Sequence, residues 1–147
     1  MSVLVDTNIL LGSVEPLHPQ HAVAVGAVSQ LLAEGTPVYF TLQNIAEFWN
    51  VATRPIENNG LGFSISSTLD DVEKVEGLPT LLPDTPAVYA EWKRIMVEHS
   101  VPGVKVHDAR LVATTRTHGV SRLLTFDLDD FARYAEIEVV HPKTVAA

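Results

Sequence analysis

This sequence predicts an α/β fold: one domain over residues 1–147, with a mostly parallel central sheet and helices on both faces. Three observations predict it. Short apolar runs, among them Val3-Leu4-Val5, Val38-Tyr39-Phe40 and Leu123-Leu124, alternate with longer segments of helical spacing, the order that right-handed crossovers and a parallel sheet produce. The first run is apolar at every position, as a strand covered on both faces must be. At 147 residues and 46% hydrophobic content, the chain can build one core but not two comfortable ones.

Taken in order, the run Val3 to Val5 reads as a buried strand that delivers Asp6 at its carboxyl end, with Thr7 and Asn8 opening a helix around Ile9-Leu10-Leu11. Pro19 to Glu34 carries Ala22, Val23, Ala27, Val28, Leu31 and Leu32 at helical spacing, and Gly35 stops it. Val38 to Phe40 is the second strand. Leu42 to Thr53 is the next helix, with Ile45, Phe48, Trp49 and Ala52 on one side and Glu47 set among them. Arg54-Pro55 ends it, because the residue before proline is pushed out of the helical region. Asn58-Asn59-Gly60 and Gly62 form a loop, and a helix from Ser64 or Ser66 runs to Glu76, its Asp70-Asp71-Glu73 run reading as a solvated face that suits the helix dipole.

Thr80 to Leu82 is a short strand. Thr85-Pro86 starts a helix with a capping hydroxyl and proline at the first position, and the helix continues to His99 with Val88, Trp92, Ile95 and Met96 inward. A loop from Val101 then hands over to a helix whose first turn holds Asp108 and which stops at His118-Gly119. Leu123-Leu124-Thr125 is a strand ending in a polar residue before Phe126-Asp127-Leu128-Asp129-Asp130, and Val139-Val140 is the last strand. No internal repeat, linker or low-complexity segment interrupts the order.

Composition removes several function classes. The chain has no cysteine, so disulfides, thiolate zinc sites and thiol nucleophiles are excluded, and oxygen ligands with the six histidines remain as metal chemistry. A formal charge of -8 argues against coating nucleic acid through a basic surface, although an acidic site filled by divalent metal attracts phosphate. No apolar run reaches about 18 residues and no signal segment precedes the first strand, so a cytoplasmic protein with no membrane partner is expected. Gly-rich phosphate loops and the GxSxG elbow are absent. Asp6 is followed by neither the adjacent acid of a receiver domain nor, at Asn8, the second aspartate of a haloacid-dehalogenase phosphatase.

Asp6, Glu47, Asp108 and Asp127 stand in four separate segments, each near a junction between a strand or loop and a helix. In a parallel sheet such junctions meet at the carboxyl edge, where ligands bind. Carboxylates gathered in one cleft repel one another and need compensation. A divalent cation supplies it, and magnesium or manganese prefers this ligand set.

The stretches Val-Asp6-Thr7-Asn8, the helix bearing Glu47, Val-His107-Asp108-Ala109-Arg110, and Leu-Leu-Thr125-Phe126-Asp127 through Asp130-Phe131 resemble PIN domains, most closely the VapC toxins of VapBC toxin-antitoxin systems. The resemblance spans nearly the whole chain. It implies a single PIN-like domain and a magnesium- or manganese-dependent ribonuclease with Asp6, Glu47 and Asp108 as core acids and metal ligands and Asp127 as the fourth. Thr125 matches the hydroxyl that orients the last segment, and Thr7, Asn8, Arg110 and Asp130 match or adjoin cleft positions. Which of Asp127, Asp129 and Asp130 reaches a metal stays open at this level. Arg54, Lys105 and Arg110 are candidates for steering RNA phosphates, against the competing reading of structural ion pairs. His107 at a helix start reads as packing or hydrogen bonding. The resemblance further implies a homodimer and a small antitoxin partner. The rival reading is a PIN-like module that binds RNA or protein without cutting.

Overall fold

The structure is a computed structural model and describes residues 1–77 and 79–146. Five strands, β1 (Val3–Val5), β2 (Val38–Thr41), β3 (Thr80–Leu82), β4 (Arg122–Leu124) and β5 (Glu138–Val140), form one sheet in the order β3-β2-β1-β4-β5. Every neighbouring pair is parallel, so the expectation of a mostly parallel sheet sharpens to a wholly parallel one. Among the described residues seven helices surround it: α1 (Thr7–Val14), α2 (His21–Ala33), α3 (Leu42–Thr53), α4 (Ile65–Glu76), α5 (Pro86–Glu98), α6 (Val106–Thr117) and α7 (Pro142–Ala146).

The period-two geometry of strands divides the core. Val3 and Val5 of β1, with Val38, Phe40 and Leu124, face one layer built from α1, α2, α3 and α4, through Ile9, Leu10, Ala27, Leu31, Phe48, Val72 and Val75. Leu4, between the two valines, faces the opposite layer with Leu123, against Val88 and Ile95 of α5 and Ala109, Leu111 and Val112 of α6. The apolar run of β1 therefore has a direct cause, since both of its faces are covered.

Local signals set most boundaries. Thr41 caps α3 and Asn44 returns the favour, forming a capping box. Ser64, rather than Ser66, caps α4, and Thr85 caps α5 with Pro86 just inside. Four short elements escaped the periodicity: the 3₁₀ turns Ile56–Asn58, Gly103–Lys105 and Leu128–Phe131, and α7. Each is too short to show a repeat. One reading is corrected. Asp71 does not belong to a solvated face; it is buried, 3.8 Å from Lys74, and burial raises its pKa. Val88, Trp92, Ile95 and Met96 of α5 turn inward as expected, Val88 and Ile95 fully buried and Trp92 and Met96 half-buried against them.

Gly60 has a close-approach role. A Cβ there would lie 1.9 Å from the carbonyl oxygen of Arg54, so the return of the loop after α3 requires glycine. Arg54 closes the same loop by donating from Nη2 to the Asn59 carbonyl at 3.0 Å.

Candidate active site

The carboxyl edge of the sheet is where β1 ends in Asp6, β2 in the cap of α3, and β4 in Thr125. Asp6 is the N-cap of α1 and accepts from the Thr7 amide at 2.7 Å through Oδ1. Its other oxygen, Oδ2, accepts from the Thr125 hydroxyl at 2.8 Å. The parallel register that pairs Val5 with Leu124 sets Asp6 and Thr125 side by side, so the sheet itself builds this contact. Capping and site membership are thus one arrangement.

Thr125 is fully buried and spends its whole hydrogen-bonding capacity here. While donating to Asp6, Oγ1 accepts from Asn8 Nδ2 at 3.2 Å and from the Asp127 amide at 3.0 Å. Asn8 Nδ2 also reaches Asp127 Oδ2 at 3.2 Å. Asn8 and Thr125 together tie the fourth acid to the first.

Glu47, half-buried in the second turn of α3, is held by two donors. Thr7 Oγ1 approaches its Oε1 at 3.4 Å and Gln43 Nε2 at 3.0 Å. Thr7 is itself oriented by Asn44 Nδ2 at 3.1 Å, and Asn44 is fully buried. Gln43 and Asn44 are site residues that sequence reasoning missed. The signal for Asn44 was present in the Thr41-x-x-Asn44 spacing of a capping box; for Gln43 it was the i,i+4 relation to Glu47.

Asp108 sits in the first turn of α6. Burial raises its carboxyl from the ordinary 3.8 to about 7, with the charges of Asp6, Asp130 and Glu47 adding to the rise and Lys105 opposing it. Asp6 is raised to about 6, first by burial and then by Glu47 and Asp127, against the lowering hydrogen bonds from Thr125 and Thr7. These mutual repulsions bring Asp6, Glu47, Asp108, Asp127 and Asp130 into one electrostatic unit. Lys105 Nζ binds Asp130 Oδ1 at 3.2 Å.

Other expectations shift. Arg110 does not enter the cleft; it pairs with Asp84 and lies 5.7 Å from the Trp92 ring centroid, because two positions along a helix from Asp108 is a rotation of about 200°, just over half a turn. Arg54 is committed to its own loop. The exposed His107 contributes its carbonyl, which accepts from Gln43 Nε2 at 2.7 Å.

A divalent cation suits this donor set. Among the described residues, hard oxygen donors outnumber Lys105, the cation that lowers Asp108, and the carboxyls of Asp6 and Asp108 are raised first by burial and then by neighbouring acids. Among the described residues, the trio whose ligand atoms approach within 4.8 Å of one another lies elsewhere: Glu98, His99 and Glu136. Glu136 precedes β5 and so occupies the amino edge of the sheet. There His99 pairs with Glu136 at 2.9 Å, and Arg94 pairs with Glu98, which makes the trio part of an ion-pair network. The four acids of the carboxyl edge are more loosely spaced than that.

A comparison with curated proteins gives no match. Among solved structures, the chain is similar to VapBC2 from Rickettsia felis, solved bound to a promoter DNA fragment, at 11% identity and a TM-score of 0.72, over 96% of this chain and 98% of that one. It is similar to VapC20 from Mycobacterium tuberculosis, described as a toxin that cleaves the sarcin-ricin loop, at 18% identity and a TM-score of 0.67, over 90% and 95% of the two chains. FitAcB from Neisseria gonorrhoeae is similar at 24% identity and a TM-score of 0.61, over 96% and 98%. At these identities the likeness is one of fold. The PIN domain family model matches residues 3–137, nearly the whole chain and every acid of the carboxyl edge. The chain belongs to the PIN domain family.

Proposed function

We propose that this protein is a magnesium- or manganese-dependent endoribonuclease and the toxin of a type II toxin-antitoxin pair, acting in the cytoplasm. The observation that carries the reading is the gathering of acids at the edge where four segments converge: Asp6, raised by burial and by the charges of Glu47 and Asp127, and Asp108, raised by burial and by the charges of Asp6 and Asp130. A scaffold has no use for such repulsion. Asp6, Asp108, Asp127 and Glu47 would hold the cation, which supplies positive charge that polarises a phosphodiester and acidifies a water for in-line attack. Thr125 and Asn8 keep Asp6 and Asp127 together, Thr7 and Gln43 aim Glu47, and Lys105 restrains Asp130 at the rim. The expected products carry 5′-phosphate and 3′-hydroxyl ends.

The partners proposed with this activity are an RNA substrate, a second copy of the chain, and a small basic antitoxin whose positive side chains complement the -8 charge. Cleavage of end-labelled small RNA by the purified chain in magnesium, manganese and EDTA tests the reading, with Asp6→Asn as control. Discrete metal-dependent cuts absent from the variant support it. Cleavage undiminished by chelator, or 2′,3′-cyclic phosphate ends, overturns it; metal binding with no cutting of any RNA favours the non-catalytic module. Comparative digestion of DNA separates the ribonuclease from a DNA-directed enzyme.

A further inference from the structure

Gln43 joins two helices that lie on opposite faces of the sheet. Its residue is 6% exposed, and its Nε2 donates both of its protons, one to Glu47 Oε1 at 3.0 Å and one to the His107 carbonyl at 2.7 Å. Glu47 is on α3, which packs in the layer with α1, α2 and α4; His107 directly precedes Asp108 on α6, which packs in the layer with α5. Among the described residues this is the only hydrogen bond that joins α3 to α6. The amide cannot be turned round, because the carbonyl oxygen would then face two acceptors.

Resting on the reading above, we propose that Gln43 is a positioning residue that sets the spacing between the Glu47 and Asp108 carboxylates for a divalent cation. The role assigned to it is to aim these carboxylates, not to contact substrate or cation. Its amide aims one carboxylate directly and places the other through the backbone of the preceding residue, so that the two acids on opposite sides of the sheet move as a pair. Without it Glu47 keeps the longer Thr7 contact alone, and the first turn of α6 loses its tie to α3. Groups that orient metal ligands in this way typically govern affinity by 10–100-fold.

The test is manganese affinity of the full chain, measured by calorimetric titration with MnCl2, for wild type, Gln43→Met and a control of matched melting temperature such as Val72→Ala in α4. Gln43→Met preserves the side chain's length without its donors and is expected to weaken manganese binding about 10-fold or more, while Val72→Ala binds as wild type. The same substitution made in Glu47→Gln should cost less than in wild type, since one of its two targets is already disabled. Gln43→Asn, one methylene too short to hold both acceptors, guards against a methionine variant that fails to fold and must also weaken binding. If the Gln43 variants bind manganese as wild type does, the positioning role is overturned and the carboxylate site stands. If wild type itself binds none, the metal reading fails and this inference fails with it.

Discussion

Thr125→Val isolates the hydroxyl that knits the acids together. Valine keeps the shape, so little cavity energy enters, and what is lost is one donor and two acceptors in a fully buried position. The Asp127 amide lies at an exposed residue and can turn to water, so the principal loss is the 2.8 Å bond to Asp6 Oδ2. A buried acceptor stranded in this way costs about 1–3 kcal/mol. Taking 2 kcal/mol as the middle of that range, a domain of this size should melt roughly 4–8 °C lower. The loss should also depend on pH. With the Asp6 carboxyl raised to about 6, the group is mostly neutral at pH 5 and ionised at pH 8, and a hydroxyl binds the ionised form more strongly. Thermal unfolding followed by circular dichroism in EDTA at both pH values measures this. A change below about 1 °C at pH 8, or an equal loss at the two pH values, would refute the reasoning.

The remaining predictions concern charge, backbone and the corrected arginine. Because Asp6 and Asp108 have folded-state values raised above 3.8 to about 6 and about 7, the folded chain binds more protons than the unfolded one between those limits. Their contribution to metal-free stability therefore falls as pH rises from about 4 to about 7 and stays low above. For Asp6 the span corresponds to on the order of 3 kcal/mol. Asp6→Asn should raise the metal-free melting temperature at pH 7.5 and flatten its pH profile; a lower melting temperature with the slope intact contradicts this. Millimolar manganese should stabilise wild type at pH 7.5 by mass action and leave Asp108→Asn unmoved, as a fluorescence melt would show. Gly60→Ala forces a methyl against the Arg54 carbonyl and should cost at least the 1–3 kcal/mol of an overpacked site, read as a lowered urea midpoint at unchanged slope. Arg110→Ala should cost about 1 kcal/mol through its contacts with Asp84 and Trp92, while RNA cleavage by the folded variant stays at the wild-type rate.

How much of this was legible in the sequence follows from the range of each interaction. β1 and Asp6 were legible because a doubly covered strand must be apolar throughout, and α3 and α5 because caps and prolines act within four residues. The position of Arg110 was a matter of helical phase, and it turned on Asp84 and Trp92, which lie far along the chain. Asp71 looked like its neighbour Asp70 until packing buried one and left the other outside. The short turn Leu128–Phe131 has Asp127 as its N-cap and Asp130 within it, an arrangement no periodic pattern announces. For Gln43 the i,i+4 relation to Glu47 was legible, but its second contact was not, because it is made to a backbone carbonyl 64 residues away, and backbone carbonyls carry no sequence signature.

The sheet order has a further consequence for how the chain is made. β1 is the earliest strand and the middle one, and its partner β4 arrives about as far downstream as the 119 residues that separate Asp6 from Thr125. At a synthesis rate of roughly 5–20 residues per second, β1 waits on the order of 6–24 s with one side unpaired. Leu4 meets Val88 and Ile95 of α5 earlier, but its packing with Leu123 is completed only at the end of that interval. A nascent chain halted before Arg122 should then be open to protease and to chaperones that grip apolar segments. The acidic edge comes together only after β4 joins β1, so any activity that depends on Asp6 and Asp127 together is withheld until the chain has been made past Asp127.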